Sequence, residues 1–264
     1  MKITLVSLDQ FWEDKQKNIN ACEIFIRKAS NIKSELIIFP EMTLTGFSMN
    51  IEKIGETEEE SFTINKFKNL SRKYNIAIIF GVVIKRNEKA ENRLVFLNNG
   101  GEILETYTKI HPFTFAEEDK FYDAGSQIKS TLFKRHRVGL TICYDLRFPD
   151  IYSALSTNCD IIVNIANWPA IRKFHWKTLL KARAIENQIF IIGVNRVGVD
   201  SAGRNYDEST VIINANGEEL DAKIEKNMKT FLVDKNWTKN FKDNFNTTND
   251  RRDGLYIEMK YVKK

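Results

Sequence analysis

The chain has 264 residues, enough for one large domain with a sizeable core, and its 42% hydrophobic and 28% charged content is that of an ordinary soluble globular protein. No apolar run reaches the ~18 residues of a membrane span, and 40 Lys and Arg alternate with 35 Asp and Glu, so the net charge of +5 reads as dispersed surface charge rather than a nucleic-acid or membrane face. Three cysteines, odd in number and without a CxxC, speak against a disulfide framework and a cysteine-rich zinc site and for a reducing, cytoplasmic setting; His111, His136 and His175 have no ligand spacing, so no metal centre is expected.

In chain order, "KITLVSL" (2–8) is predicted as a first strand rather than a signal-peptide core. Residues 14–32 read as a helix with Ile19, Cys22, Ile26 and Ala29 on one face, which makes Cys22 a packing residue. "ELIIF" (35–39) is a strand stopped by Pro40; 58–74 a helix; "NIAIIFGVVI" (75–84) a strand. Residues 92–110 read as a hairpin turning at Asn98, Asn99, Gly100 and Gly101, where positive φ is available. "RVGLTI" (137–142), "CDIIVNIA" (159–166) and "IFIIGVN" (189–195) are strands separated by helices at 149–156 and 174–188. A second hairpin is predicted over 209–220 with its turn at Asn216-Gly217, and "KTFLVDK" (229–235) as the last strand. The polar tail is expected to form a short helix and then an extension. Strand–helix alternation indicates α/β layers, and the hairpins indicate mixed sheets.

Three strand ends carry chemistry. Cys143 closes "VGLTI" and is followed by a turn into a helix, a junction that can hold a nucleophile with its tip exposed and the next N–H ready for an oxyanion. The same cysteine could equally be a small buried hydrophobe. A nucleophilic thiol needs a proton acceptor. His136 lies on the same strand, about 23 Å away if extended, too far to serve; His111 and His175 stay open. Glu41 follows Pro40 at the rim of its strand, and Lys109 ends "GEILETYTK". Ligand sites in open α/β sheets gather at strand carboxyl ends, though most Glu and Lys merely solvate loops.

Four motifs decide between these readings: "LIIFPEMTLTGF", "YTKIHPF", "GLTICYDLRFP" and "ARAIENQ". In order and spacing the sequence resembles the nitrilase, or carbon–nitrogen hydrolase, superfamily from residue 2 to about 234, and "YDLRFP", "ANWP" and "ARAIENQIFIIGVNRVG" are similar to its bacterial omega-amidase branch. The resemblance implies a four-layer αββα sandwich with two mixed sheets, with residues 1–235 as the hydrolase domain and 236–264 as a C-terminal extension packing on it or on a dimer interface. It implies no cofactor, and usually a homodimer. It also implies a Glu41–Lys109–Cys143 triad, an oxyanion donor at the backbone of Tyr144, and a second glutamate, Glu118 rather than Glu117 when counted back from Gly125. Arg147 is either a binder for a substrate carboxylate or a structural partner of Asp145 or another acid. Trp168 and Phe47 wall the pocket or fill the core, and Arg183 and Glu186 brace the site or the dimer interface. The implied activity is hydrolysis of the terminal amide of small 2-oxo acid monoamides. The alternatives are another small amide, an N-carbamoyl compound or deaminated glutathione by the same mechanism, and a non-catalytic binding protein.

Overall fold

A computed structural model describes residues 1–261. The first strands are β1 (Lys2–Val6), β2 (Leu36–Ile38), β3 (Ala77–Lys85), β4 (Ala90–Leu97) and β5 (Ile103–Thr108). They are followed by β6 (Ser130–Phe133), β7 (His136–Ile142), β8 (Ile161–Ala166) and β9 (Phe190–Asn195). Then come β10 (Gly198–Val199), β11 (Asn205–Tyr206), β12 (Val211–Ile213), β13 (Lys223–Glu225) and β14 (Met228–Leu232). Helices α1 (Lys15–Asn31), α2 (Ile51–Ile54), α3 (Phe62–Tyr74) and α4 (Glu118–Phe121) precede α5 (Pro149–Ser156), α6 (Lys173–Asn187), α7 (Lys235–Asn244) and α8 (Asp253–Tyr261).

Two mixed sheets result, ordered β13-β14-β1-β2-β3-β4-β5 and β12-β9-β8-β7-β6. The period-2 pattern of the strands sorts their side chains between layers. Ile3, Leu5, Leu36, Ile38, Ala77, Ile79, Leu94 and Phe96 join the second sheet's residues in one core. Their neighbours Val6, Ile37, Phe39, Ile78, Phe80, Val95 and Leu97 pack instead with Ile19, Cys22, Ile26 and Phe67 of α1 and α3. Trp176, Leu180 and Ala184 of α6 cover the other sheet. The order is helix, sheet, sheet, helix.

Local chemistry sets the element ends. Asp14 caps α1 by accepting the N–H of Lys17. α3 begins later than its charged N-terminal flank suggests, because Ser61 caps it through Ile64 N while Glu58 stays outside, paired with Arg86 and Arg93. At the first hairpin Asn98 Oδ1 accepts Gly100 N and Glu102 N, and only Gly101 of the four turn residues has positive φ. The predicted second hairpin is shorter than expected. β12 turns at Asn214–Gly217, but its return is a single bridge, Ile213 to Glu219, and the chain moves on to the β13–β14 hairpin of the other sheet. Glu218 O accepts Asn214 N and Leu220 N donates to Ile212 O, while the side chains of Glu218 and Glu219 pair with Asn214 and Lys177.

The tail is more helical than expected: α8 stands where an extension was predicted. Trp237 of α7 packs between Phe190 (5.6 Å) and Phe241 (5.3 Å), and the amide of Gln188 pairs with Phe245 O and Thr247 N. The last part of the predicted extension, 262–264, lies outside the described residues. No helix among the described residues is long and apolar enough to cross a membrane.

Candidate active site

Three parallel-paired strands and one antiparallel strand release the chain at one rim: β2 before Glu41, β7 before Cys143, β8 before Asn167, and β5 before Lys109. The loop after β2 is fastened to β3. Thr43 N donates to Gly81 O (3.0 Å), Gly81 N donates to Thr43 Oγ1 (2.9 Å), and Gln10 Nε2 reaches the carbonyls of Glu41, Met42 and Thr43. Gly81 allows this approach, since a Cβ there would stand 2.3 Å from Met42 N. Gly125 does the same beside Lys109: its Cβ would meet Thr108 O at 2.2 Å.

The polar groups meet behind a cavity of about 440 Å³. Lys109 Nζ lies 3.1 Å from Glu41 Oε1 and 2.7 Å from Glu118 Oε2, and all three side chains are buried. Asn92 Nδ2 donates to both carboxylates, at 2.7 Å to Glu41 and 3.0 Å to Glu118. The backbone N–H of Asn167 donates to Glu41 Oε2 (2.9 Å) and that of Phe113 to Glu118 Oε2 (2.6 Å). Each carboxylate is therefore held by an ammonium and by neutral donors, the condition for burying charge. Glu117, by contrast, is exposed and pairs with Lys120.

Cys143 is half-buried, lines the cavity and has φ +45°, a left-handed backbone unusual for a residue with a side chain. Its Sγ is 4.0 Å from Asn167 O. Burial foremost, then the charge of Glu41, pushes its thiol well above the ordinary range, against the opposing pull of Lys109. Burial alone would lower the Lys109 pKa, but the charges of Glu118 and Glu41 outweigh it and hold the ammonium above its usual value. Burial raises Glu118, with Lys109 opposing.

Tyr144, Phe47 and Trp168 all line the cavity; Trp168 is both wall and core, being 4% exposed. Phe47 sits under Lys109, with Nζ 5.4 Å from the ring centroid. Arg147 lies over Trp168 (4.9 Å) and does not pair with Asp145. Asp145 is engaged elsewhere: it accepts from Tyr107 OH, Ile142 N and His111 N, and its Oδ1 is 2.8 Å from His111 Nδ1. His111 also stacks on Phe148, so it supports the turn instead of facing the thiol; His175 is exposed, 3.4 Å from Arg147 Nη2. Arg183 braces the same turn through Leu146 O (2.9 Å) and pairs with Glu186.

Sequence reasoning missed Gln10, Asn92 and Asn167. For Asn92 and Asn167 the available signal was a polar side chain inside or directly after an apolar strand, which needs a partner when buried; Gln10, four residues past β1, carried no such signal.

A fold that delivers a carboxylate, an ammonium and a thiol to one cavity from separate strand ends is that of a carbon–nitrogen hydrolase. The chain belongs to that family: the sequence model described as carbon-nitrogen hydrolase matches residues 2–234. It is 36% identical over 218 residues to the omega-amidase YafV of Yersinia enterocolitica, covering 83% of each chain. It is 30% identical to the 2-oxoglutaramate amidase of Bacillus subtilis, covering 74% of this chain and 76% of that one. A CN-hydrolase superfamily structure from Xanthomonas campestris superposes with TM-score 0.88 at 28% identity, over 95% of this chain and 97% of that one.

Proposed function

We propose that the protein is an omega-amidase, releasing ammonia from the terminal amide of a small 2-oxo acid monoamide such as 2-oxoglutaramate or 2-oxosuccinamate. The observation that carries this reading is the meeting of Glu41, Lys109 and Glu118 in one hydrogen-bonded cluster behind a cavity that Cys143 and Arg147 line. Glu41 takes the thiol proton as Cys143 Sγ bonds to the amide carbon. The oxyanion is held by Lys109 and the N–H of Tyr144, each such donor contributing about 3 kcal/mol to the barrier. Glu41 returns the proton to the departing nitrogen, the C–N bond breaks, and ammonia leaves a thioester. Water, deprotonated by Glu41, attacks the thioester and frees the acid and the thiol. Glu118 orients Lys109 and needs no proton transfer of its own. Arg147, planar and stacked on Trp168, offers a fork to the substrate carboxylate. Phe47 and Trp168 exclude water around it.

We further propose residues 1–235 as the hydrolase domain, 236–264 as an extension fastened to it, and a cytoplasmic homodimer without a cofactor. Light scattering on the full chain measures the assembly.

The deciding experiment is ammonia release from a panel of amides: 2-oxoglutaramate, 2-oxosuccinamate, neutral amides, N-carbamoyl compounds and deaminated glutathione. Cys143→Ala should lose at least ~10³-fold in rate with its fold intact. Arg147→Ala should cost the 2-oxo acid amides far more than neutral ones. Full activity in Cys143→Ala removes the nucleophile assignment, and no turnover of any amide by the natural protein leaves a binding protein on this fold.

A further inference from the structure

Besides Lys109, three arginines line the cavity, Arg147, Arg172 and Arg204, and among the described residues no Asp or Glu does. Lys109 is already neutralised by the two glutamates behind it. The amidase reading uses only Arg147. Arg172 and Arg204 reach the mouth from two neighbouring elements: the short 3-10 turn Ala170–Arg172 and the β10–β11 hairpin. Lys173 and Asp207, each just beyond, tie those elements together at 3.3 Å. Arg172 lies over the ring of Phe113 (5.5 Å), which leaves its edge donors in the plane of the guanidinium. Arg204 gives one nitrogen to Asp200 (3.3 Å). Asp200 also accepts from Tyr206 OH and from the N–H groups of Ala202 and Arg204, so it stiffens the hairpin that presents the arginine. Five donors per guanidinium exceed what these contacts use.

We propose that Arg172 and Arg204 form an outer anion subsite at the cavity, which admits small amides bearing a second anionic group beyond the one held by Arg147 in addition to the singly charged 2-oxo acid monoamides. The proposal rests on the amidase reading for the word substrate, but its test does not.

The probe is protection of Cys143 from iodoacetamide, followed by intact mass. The reagent is uncharged, so the arginines do not steer it. Butyrate, glutarate and tricarballylate serve as protecting ligands with one, two and three carboxylates. In the natural protein, tricarballylate or glutarate should protect at concentrations at least ~10-fold below butyrate, because two charged forks bind cooperatively through one ligand. In Arg172→Gln/Arg204→Gln that ratio should fall to near one. The single variants Arg172→Lys and Arg204→Lys, which keep the charge and lose the fork, should give intermediate ratios. Equal protection by all three carboxylates in the natural protein overturns the subsite, and so does an unchanged ratio in the double variant. If no amide is turned over but the ratio behaves as stated, the amidase reading fails and the subsite stands.

Discussion

Gly81→Ala tests the geometry of the site without touching a reacting group. The added Cβ would lie 2.3 Å from Met42 N and 3.0 Å from the carbonyl carbon of Glu41, where ordinary contacts begin at 3.4 Å. Both sides are backbone, pinned by the paired Thr43–Gly81 hydrogen bonds and by Gln10, so no flexible side chain can give way. The Glu41 loop must therefore retreat from β3 by roughly 1 Å, a displacement that costs about 10²-fold when it falls on a catalytic group. Overpacking of this kind costs about 1–3 kcal/mol, or a Tm lower by about 2–10 °C. Gly139→Ala is the control, since the nearest atoms to its Cβ would be side-chain atoms, of Ile162 and Leu155 at 3.1 Å and of Cys159 at 3.2 Å. Ammonia release with 2-oxoglutaramate and a melting curve are measured for both. The expected result is a smaller destabilisation in Gly139→Ala, with the loss of kcat confined to Gly81→Ala. Equal kcat in the two variants would refute the claim that this glycine sets the position of Glu41.

The raised Cys143 pKa gives a pH test. A thiol held above its usual range loses its proton only in alkaline solution, so without a base its reactivity climbs with pH. Burial, the foremost cause, persists in Glu41→Gln although the charge of Glu41 is gone, so alkylation of that variant should climb with pH through the alkaline range, and more steeply than that of the natural protein; parallel profiles would remove Glu41 as the base. Asn92→Asp keeps the shape of a residue that faces two buried carboxylates and adds a third acidic group. It should lower stability by about 3 kcal/mol in denaturant titration and lose activity, whereas Asn92→Gln should fold nearly normally; an Asp variant as stable as the natural protein contradicts the charged state of the cluster. Trp237→Ala should cost about 2 kcal/mol in thermal melting, with kcat within about twofold, and a change in kcat without loss of stability would tie α7 to catalysis instead.

The layers were legible because burial follows period. Ile19, Cys22, Ile26 and Ala29 are all buried on α1, as their spacing requires. Glu41 and Cys143 end apolar runs and Lys109 ends a mixed one, which left their roles open; the family motifs around them singled them out. Their hydrogen-bond partners were not legible. Asn92 lies 51 residues from Glu41, Asn167 126 and Gln10 31, and a polar side chain inside a strand says only that some partner exists. Gly81 was read simply as part of a strand, although a glycine amid Phe80, Val82 and Val83 marks a close backbone approach. The exclusion of His111 needed coordinates as well, since its ring is committed to Asp145 through a contact 34 residues along.

Backbone strain shows where local preference yields to the site. Several non-glycine residues with positive φ close helices or turn hairpins: Asn75 and Gln188 are helix C-caps, and Lys134 and Lys226 sit between paired strands. Met42 and Cys143 do neither, yet one adjoins Glu41 and the other carries the thiol, while Glu117 closes the short 3-10 turn Thr114–Ala116 directly before Glu118. Each left-handed residue costs roughly 1 kcal/mol. The surrounding contacts offset that cost: Gln10 and Thr43 on the first loop, Phe113 N on the second, Asp145 and Arg183 on the third. These braces lie largely outside the reacting groups. Substitutions in them should therefore lower the rate by letting the three loops relax toward ordinary backbone, before they unfold the sandwich itself.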